Sequence, residues 1–390
     1  MEVVRIVRPQ DGLREKEWLV ANGLGGYACG TVAGNPTRRY HGPLVASLPA
    51  PLGRMMMLNR LDEAAGGISL TTDETDPGAL EEFRLEWGLP VWRYRVGGAL
   101  VEKRLVMPHQ QNTTYVEYRL AEGDAPLALA LKPWFQFRGH DRQVDEEVPG
   151  PATMRAAEGR FEIQVNGVPP TRLRLTGDGA AFALDDGTDA HAYYVREEER
   201  GYASTGHLWS PGVLAATLAP GRPVTLVVSS EDWHVATAMT AAEAWEWETG
   251  RRRRLAQAAH PALREGIAAE LVVTADSFII TPLSRIAEQV RARSQGEDIR
   301  AIIAGYHWFS VWGRDTMIAL EGLALVTGRH QEARWILQTF LAHVKDGLIP
   351  NDFPDQATHG QYNTADATLW SFHALDRYVA ATGDLDTLGR

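Results

Sequence analysis

Hydrophobic and polar positions along the chain follow two different periods, and the change between them divides the sequence into two parts. Up to about residue 235, short segments alternate apolar and polar side chains or are rich in β-formers. These segments are 100–106, 114–120, 127–131, 172–175, 191–195, 213–218 and 224–228. Turn residues rich in glycine and aspartate separate them. Many short strands separated by turns predict an antiparallel β-sandwich-like domain.

In the second part, the apolar positions repeat with a helical period. The helical character begins near Thr240, and candidate helices occupy 263–280, 315–326, 331–344 and 364–381. Between Trp335 and Phe340 the apolar side chains leave little surface for water, so these helices need neighbours on more than one side. We predict a multidomain β + α chain: a β domain over 1–235, a helical linker over 236–260, and a domain of helix hairpins over 261–390, arranged as a barrel or toroid.

Composition and charge limit the classes of function. The chain has 390 residues, 44% hydrophobic and 23% charged, which is typical of a globular protein with two domains. No apolar segment approaches the ~20 residues that span a bilayer, and the N-terminus lacks the features of a signal peptide. We therefore expect a cytoplasmic protein without a membrane partner. The net charge of −11 argues against nucleic acid, whose binding depends on phosphate neutralisation, and suits a neutral substrate.

Cysteine, histidine and the charge runs give no sign of a metal or cofactor. Cys29 is the only cysteine, which excludes an intrachain disulfide and favours a packing role. The 12 histidines show no H-E-x-x-H or comparable ligand spacing. The basic run 251–254 follows acidic residues, and the spacing of Glu248 and Arg252 predicts a pair on a solvated helix face.

The first candidate site segment is 304–316, which places four aromatic residues, an arginine and a carboxylate before an apolar helix. Arg314 can donate to vicinal hydroxyls and Asp315 can accept from them, and such charge-assisted bonds are strong. Trp308 and Trp312 can supply stacking faces. The alternative interpretation is that Asp315 is only the N-cap of the helix that follows. The residues alone leave both interpretations open.

The second candidate segment comprises 347–355 and 362–370. Its loop carries Asn351 and two aspartates, and Asn363 and Asp366 have the i, i+3 spacing of a capping box, which is the structural alternative here. Two helix starts that both carry aromatic and carboxylate side chains predict a shared pocket.

The glycine-rich N-terminal segment 22–27 and the motif 37–42 do not form a phosphate site. They lack the lysine of a P-loop and the strand–turn–helix setting of a dinucleotide fold. We predict tight turns that lie at the contact between the two domains.

These motifs together resemble the signatures of bacterial and archaeal glycogen debranching enzymes. The N-terminal signature is matched by 18–27, 30–34 and 37–42, and the helical signatures by 309–316, 347–351 and 362–367. His307 departs from the proline expected there. The resemblance implies an N-terminal β-sandwich-like domain, a C-terminal (α/α)6 toroid, and amylo-α-1,6-glucosidase activity of a glycoside hydrolase. The implied partner is a branched α-glucan such as glycogen or limit dextrin, with no cofactor.

The resemblance also implies which residues bind the sugar. Trp312, Arg314 and Asp315 match the loop that holds the terminal glucose in related toroid glycosidases. Together with the residue-level interpretation, the predicted substrate-binding set is Trp308, Trp312, Arg314, Asp315, Asn351, Tyr362, Asn363 and Asp366.

The family's acid and base carboxylates are expected beyond Arg390, so the catalytic pair stays unknown. The chain is then expected to hold the first helices of an incomplete toroid, to expose apolar surface, and to be inactive alone. The alternatives are a glucoamylase-like α-1,4-glucosidase and a non-catalytic α-glucan-binding module.

Overall fold

The computed structural model describes the backbone of residues 4–7 and the residues 12–72, 78–146 and 152–389. Its strands are β1 Val4–Val7, β2 Glu17–Ala21, β3 Tyr27–Thr31, β4 Gly42–Leu48, β5 Gly53–Leu58, β6 Arg60–Ala65, β7 Ile68–Ser69, β8 Leu80–Glu86, β9 Leu89–Val96, β10 Ala99–Val106, β11 Thr113–Glu122, β12 Leu127–Trp134, β13 Arg138–Gly139, β14 Thr153–Ala157, β15 Arg160–Gln164, β16 Thr171–Thr176, β17 Asp178–Tyr193, β18 Thr205–Leu218, β19 Val224–Ser229, β20 Ile279–Ile280, β21 Ala301–Ile302, β22 Val311–Trp312 and β23 Asp352–Phe353. Its α-helices are α1 Val195–Glu199, α2 Trp233–Ala236, α3 Ala241–Ala258, α4 Gly266–Asp276, α5 Ile286–Ser294, α6 Gly313–Leu320, α7 His330–Leu341 and α8 Asp366–Thr382.

The N-terminal part consists mostly of antiparallel β-sheet, as predicted. A nine-stranded sheet has the order β1-β8-β9-β10-β11-β19-β16-β15-β14. Two five-stranded sheets have the orders β17-β18-β12-β6-β7 and β13-β5-β4-β3-β2. Alternating side chains of these strands bury a continuous core, which includes Met57, Trp92, Tyr115 and Tyr118. Burial of one face of each strand is what produces the alternating pattern in the sequence.

One predicted strand ends earlier than its sequence suggested. Segment 191–195 is in β17 only up to Tyr193, and Val195 begins the short helix α1. The chain leaves the sheet at Tyr194, whose amide donates to the carbonyl of Ser204 at 2.8 Å. Glu197 and Glu198 in the first turn favour the helix through its dipole.

The helix α3 connects the sheets to the helical part and begins with a capping box. Thr240 accepts from the amide of Glu243 at 3.2 Å, and the Glu243 carboxylate accepts from the Thr240 amide at 2.8 Å. Glu248 and Arg252 pair as predicted, at 2.7 Å, but the predicted solvated face is wrong. Their exposures are 3% and 5% because the helix packs against the sheet part, where Arg252 also donates to the Trp87 carbonyl.

The first helix of the second part is shorter than predicted. The period predicted a helix over 263–280, whereas α4 ends at Asp276, and Ile279–Ile280 form β20 opposite Ala301–Ile302. The carboxylate of Asp276 at the end of the helix accepts from Arg251 and Arg329, both at 2.6 Å. The β-branched isoleucines that follow favour a strand.

The remaining helices share a second core and also expose apolar side chains. Leu320, Ile336, Leu337 and Phe340 are fully buried among α6, α7 and α8. The large apolar side chains that remain exposed include Ile267, Leu271, Val290, Leu369 and Phe372. None of the described helices combines the length and the hydropathy that a membrane span requires.

Candidate functional site

The two candidate segments lie side by side. The strand Val311–Trp312 pairs with Asp352–Phe353, with Trp312 opposite Asp352. The amide of Gly313 donates to the Asn351 carbonyl at 2.8 Å. Glycine is required at 313 because a Cβ there would lie 2.2 Å from the carbonyl oxygen of Pro350. The starts of α6 and α8 lie next to each other, and the surface around Arg314 and Asp366 is the candidate cleft.

Arg314 lies between two carboxylates in this cleft. Its Nη1 is 3.3 Å from Asp366 Oδ2, and its Nε is 3.7 Å from Asp315 Oδ2. The side chains of Arg314, Asp366 and Asp315 are 44%, 43% and 41% exposed, so solvent or a ligand can reach each side chain, although Asp315 Oδ2 itself is buried. Hydrogen bonds from Thr364 and Arg314 hold the pKa of Asp366 below its ordinary value. The arrangement offers cationic donors flanked by anionic acceptors, which matches a pair of neighbouring hydroxyl groups.

The interpretation of Asp315 as an N-cap is wrong. The helix α6 begins at Gly313 with Trp312 at the cap position, so Asp315 is the third residue of the first turn. The strand pairing of Trp312 continues directly into the helix and leaves no separate capping position for Asp315.

The capping box at the start of α8 is also wrong. The helix begins at Asp366, and Ala365 occupies the cap position without a side-chain cap. Asn363 lies before the helix, and its Oδ1 accepts from the side-chain Nδ2 of Asn351 at 3.0 Å. Asn351 is only 5% exposed, so this predicted binding residue is buried. It supports Asn363, whose side chain is exposed. Tyr362 is half-buried, and its hydroxyl donates to the His343 carbonyl at 2.7 Å.

The two tryptophans of the first segment have different neighbours. Trp308 is 40% exposed and contacts the N-terminal part, with the guanidinium groups of Arg38 and Arg200 each 5.5 Å from its ring centre. Trp312 is half-buried and packs edge-to-face on Phe309 at 5.9 Å. Trp312 therefore lies beside Arg314, whereas Trp308 contacts the motif at 37–42.

Asp352 is a carboxyl group of the cleft that the sequence did not single out as a binding residue. It is half-buried opposite Trp312, and it accepts from the Ser310 hydroxyl at 2.6 Å. Burial raises the pKa of Asp352, and the charge of Asp355 adds to this effect. Its protonated form is therefore favoured relative to an ordinary aspartate.

The N-terminal motifs lie at the contact between the sheets and the helical part, as the sequence predicted. The carbonyl of Gly23 accepts from the Thr281 amide at 2.9 Å. The ring of Tyr40 stacks on His307 at 5.5 Å with an angle of 10°. Tyr27 packs edge-on against Tyr306 at 5.5 Å. These contacts join residues that are far apart in the sequence.

The same contact brings Cys29, His41 and His307 together, with one ligand atom of each within 4.8 Å of the others. The Thr37 amide donates to His41 Nδ1 at 3.1 Å, so the neutral imidazole carries its proton on Nε2, which faces the Glu17 carboxylate at 3.6 Å. A metal on Nε2 would require that proton to move against the Thr37 amide. We therefore assign no metal to this cluster.

Two protein families match the sequence. The family described as "Glycogen debranching enzyme N terminal" matches residues 16–225, and "Amylo-alpha-1,6-glucosidase" matches residues 274–390. The chain belongs to the glycogen debranching enzyme family. Amylo-α-1,6-glucosidases are glycoside hydrolases, so the family of this chain is a glycoside hydrolase family.

This member of the glycogen debranching enzyme family matches individual known proteins over only part of their length. Over 94 residues it is 38% identical to the glycogen debranching enzyme of Saccharomyces cerevisiae, a match that covers 23% of this chain and 6% of the yeast protein. A bacterial glucoamylase complexed with acarbose is 11% identical, with a TM-score of 0.46 over 98% of this chain and 61% of that chain. The chain thus spans less than two thirds of the length of each.

Proposed function

We propose that this debranching-family chain binds branched α-glucans in the cleft at Arg314 and contributes to hydrolysis of their α-1,6 branch linkages. The observation that carries the proposal is Arg314 between Asp315 and Asp366, all about two-fifths exposed beside Trp312. Glycogen or limit dextrin is the proposed substrate, and the cytoplasm the proposed location.

Each residue of the cleft has a proposed role. The Arg314 guanidinium donates to the oxygens of two adjacent hydroxyls, while Asp315 and Asp366 accept from their protons. The ring of Trp312 covers the apolar face of the terminal glucose. Asn363 and Tyr362, which precede α8, contact the outer edge of that unit, and Asn351 orients Asn363 through its 3.0 Å hydrogen bond. Trp308 contacts sugar units farther along the glucan.

The helices α4 to α8 are proposed to belong to an (α/α)6 toroid, with domains at 1–235 and 261–390 and a linker at 236–260. The exposed apolar side chains support this proposal. Leu271 on α4, Val290 on α5, and Leu369 and Phe372 on α8 are 63%, 63%, 68% and 69% exposed. Isolated exposed residues are ordinary, but apolar residues on several neighbouring helices indicate faces that pack against further helices.

Hydrolysis of a glycosidic bond requires two carboxyl groups on opposite sides of the bond. We assign neither the acid nor the base, because Asp315 and Asp366 both contact Arg314 and are used here for binding. Binding is therefore the decisive assay for this cleft.

Calorimetric titration of the purified chain with panose, whose terminal glucose is joined by an α-1,6 bond, tests the proposal. We expect saturable binding that is tighter than binding of maltotriose, which has only α-1,4 bonds. Equal affinity for both sugars favours the α-1,4-glucosidase alternative. Absence of binding to either sugar contradicts the proposed function.

A further inference from the structure

Arg54 on β5 belongs to the N-terminal sheets but hydrogen-bonds to the helical part. Its side chain is 2% exposed. Nε donates to Asp355 Oδ2 at 2.6 Å, Nη2 to the Phe309 carbonyl at 2.8 Å, and Nη1 to the His307 carbonyl at 3.3 Å. Among the described residues, the guanidinium of Arg54 hydrogen-bonds only to the two loops that form the candidate cleft.

The positions of these acceptors fix the course of both loops. The carbonyls of His307 and Phe309 lie on either side of Trp308 in the sequence, so the guanidinium holds the backbone before and after that side chain. Asp355 is three residues beyond Asp352, which pairs with Trp312. The planar fork of arginine can reach all three acceptors at once, and the single ammonium of lysine cannot.

Two further residues of the N-terminal part support the same loops. His140 is 2% exposed, and its Nε2 donates to the His307 carbonyl at 3.1 Å. Gly53 adopts φ +67°, and a Cβ there would lie 2.9 Å from Cβ of Asp355. The strand β5 therefore accommodates the second loop at Gly53 and bonds to it at Arg54.

Stability alone does not account for this arrangement. A buried ion pair contributes little net stability compared with apolar side chains of the same volume, because both charges lose their hydration. What a buried arginine with several hydrogen bonds supplies is a defined geometry for the groups that it contacts.

We infer that Arg54 is a positioning residue of the glucan-binding cleft, through which the N-terminal sheet fixes the loops 304–312 and 350–355. This inference rests on the proposed function for the ligand of the cleft, but the ordering of the loops by Arg54 is independent of that ligand. The N-terminal part is then a component of the binding site as well as a neighbour of it.

Hydrogen exchange of the full chain tests the inference, because several loop amides are hydrogen-bonded. Phe309 donates to the Gly305 carbonyl at 2.9 Å, Gly313 to Asn351 at 2.8 Å, and Asn351 to Gln361 at 2.7 Å. In Arg54→Lys we expect exchange to accelerate about tenfold in peptides that cover both loops, the change expected when a charge-assisted hydrogen bond is lost. Exchange in the strands β10 and β11 should stay unchanged. Panose affinity should fall by about the same factor.

Two further variants separate positioning from general stability. Asp355→Asn leaves both carbonyl bonds of Arg54 in place, so only 350–355 should exchange faster, and this variant decides the matter if Arg54→Lys does not fold. Arg84→Lys is the matched control, since Arg84 contacts Glu82, Glu86 and Glu102 within the nine-stranded sheet. It should leave loop exchange and panose affinity unchanged.

Unchanged loop exchange in both Arg54→Lys and Asp355→Asn overturns the inference, and so does an acceleration spread evenly over the chain. If the unmodified chain does not bind panose, the proposed function fails. The exchange of the two loops still decides whether Arg54 positions them.

Discussion

The sheets and the helices of this chain differ in how they use their apolar and charged side chains. In the sheets a large core is closed by the strands together with Ala241 and Ala244 of α3, and even the charge of Lys103 is buried against Glu63 at 2.6 Å. The helices have a smaller core and leave Leu369 and Phe372 more than two-thirds exposed. The large core of the sheet part is therefore closed by α3, whereas the helical part leaves large apolar side chains uncovered and also receives contacts from Arg54.

The largest expected effect comes from removing the centre of the smaller core. Phe340 is fully buried and packs on Phe353 at 5.2 Å. Phe340→Ala should cost about 3–5 kcal/mol of unfolding free energy, because the cavity cannot close around several fixed helices. Hydrogen exchange should show faster opening of α6, α7 and α8 and unchanged protection in β10 and β11.

Leu369→Ala is the control for this prediction. Leu369 is 68% exposed, so its truncation should change the unfolding free energy by less than about 0.5 kcal/mol. If Phe340→Ala opened the sheets and the helices together, the two parts would be one cooperative unit, and the comparison would be wrong.

The next largest expected effect is a loss of folding stability at acid pH, caused by buried histidines at the contact between the sheets and the helical part. His41, His140 and His307 are 1%, 2% and 6% exposed there. Burial lowers the pKa of all three, with His41 and Arg38 adding to the effect on His307, whose pKa falls to about 3.

The sign of the pH dependence follows from these shifts. Below 6.5, the ordinary value, the unfolded chain binds protons that the folded chain excludes. Stability is therefore complete above about pH 6.5 and is lost as the pH falls toward about 3. At 1.36 kcal/mol for each pH unit, His307 alone should remove about 2–3 kcal/mol by pH 4.5.

Urea unfolding at several pH values between about 7.5 and 4.5 measures this loss. His307→Gln removes one titrating group and should flatten the dependence, whereas His359→Gln, at an exposed position, should leave it unchanged. A urea midpoint independent of pH in the original chain would show that these histidines do not titrate against folding.

The period of the sequence was a reliable guide to strands and helices whose faces are buried in the usual way. It placed β10, β11, β12, β16, β18 and β19, and it found the helical segments near α3, α6, α7 and α8. It failed where a distant segment decides the outcome. After α4 ends at Asp276, Ile279–Ile280 pair with Ala301–Ile302, and a pairing over about 20 residues is not visible in a local pattern.

The candidate site shows the same limit. Residue types that suit sugar hydroxyls singled out Arg314, Asp315 and Asp366 as candidates, but the helix caps assigned by proximity to an apolar run were wrong. The pairing of Trp312 with Asp352 moves the start of α6 to Gly313, and that pairing depends on a segment 40 residues away in the sequence. Arg54 was missed because an isolated arginine in a strand gives no signal of a contact with the helical part.

The most direct test of the account is the paired change of two exposed aspartates. Asp315→Asn preserves size and removes the charge that should accept from a glucose hydroxyl. The loss of one hydrogen bond to a charged group is worth about 1.5–3 kcal/mol, or roughly ten- to a hundredfold in affinity. The unfolding free energy of Asp315→Asn should differ from that of the original chain by no more than about 1 kcal/mol, which is the contribution of an anion in the first turn of a helix. Asp376→Asn makes the same chemical change on the exposed surface of α8.

Titration of panose into the original chain and both variants is therefore the decisive measurement. The account predicts that Asp315→Asn weakens binding at least about tenfold, with a melting temperature close to that of the original chain, and that Asp376→Asn binds normally. Equal affinity of the original chain and Asp315→Asn would contradict the assignment of this cleft to the glucan.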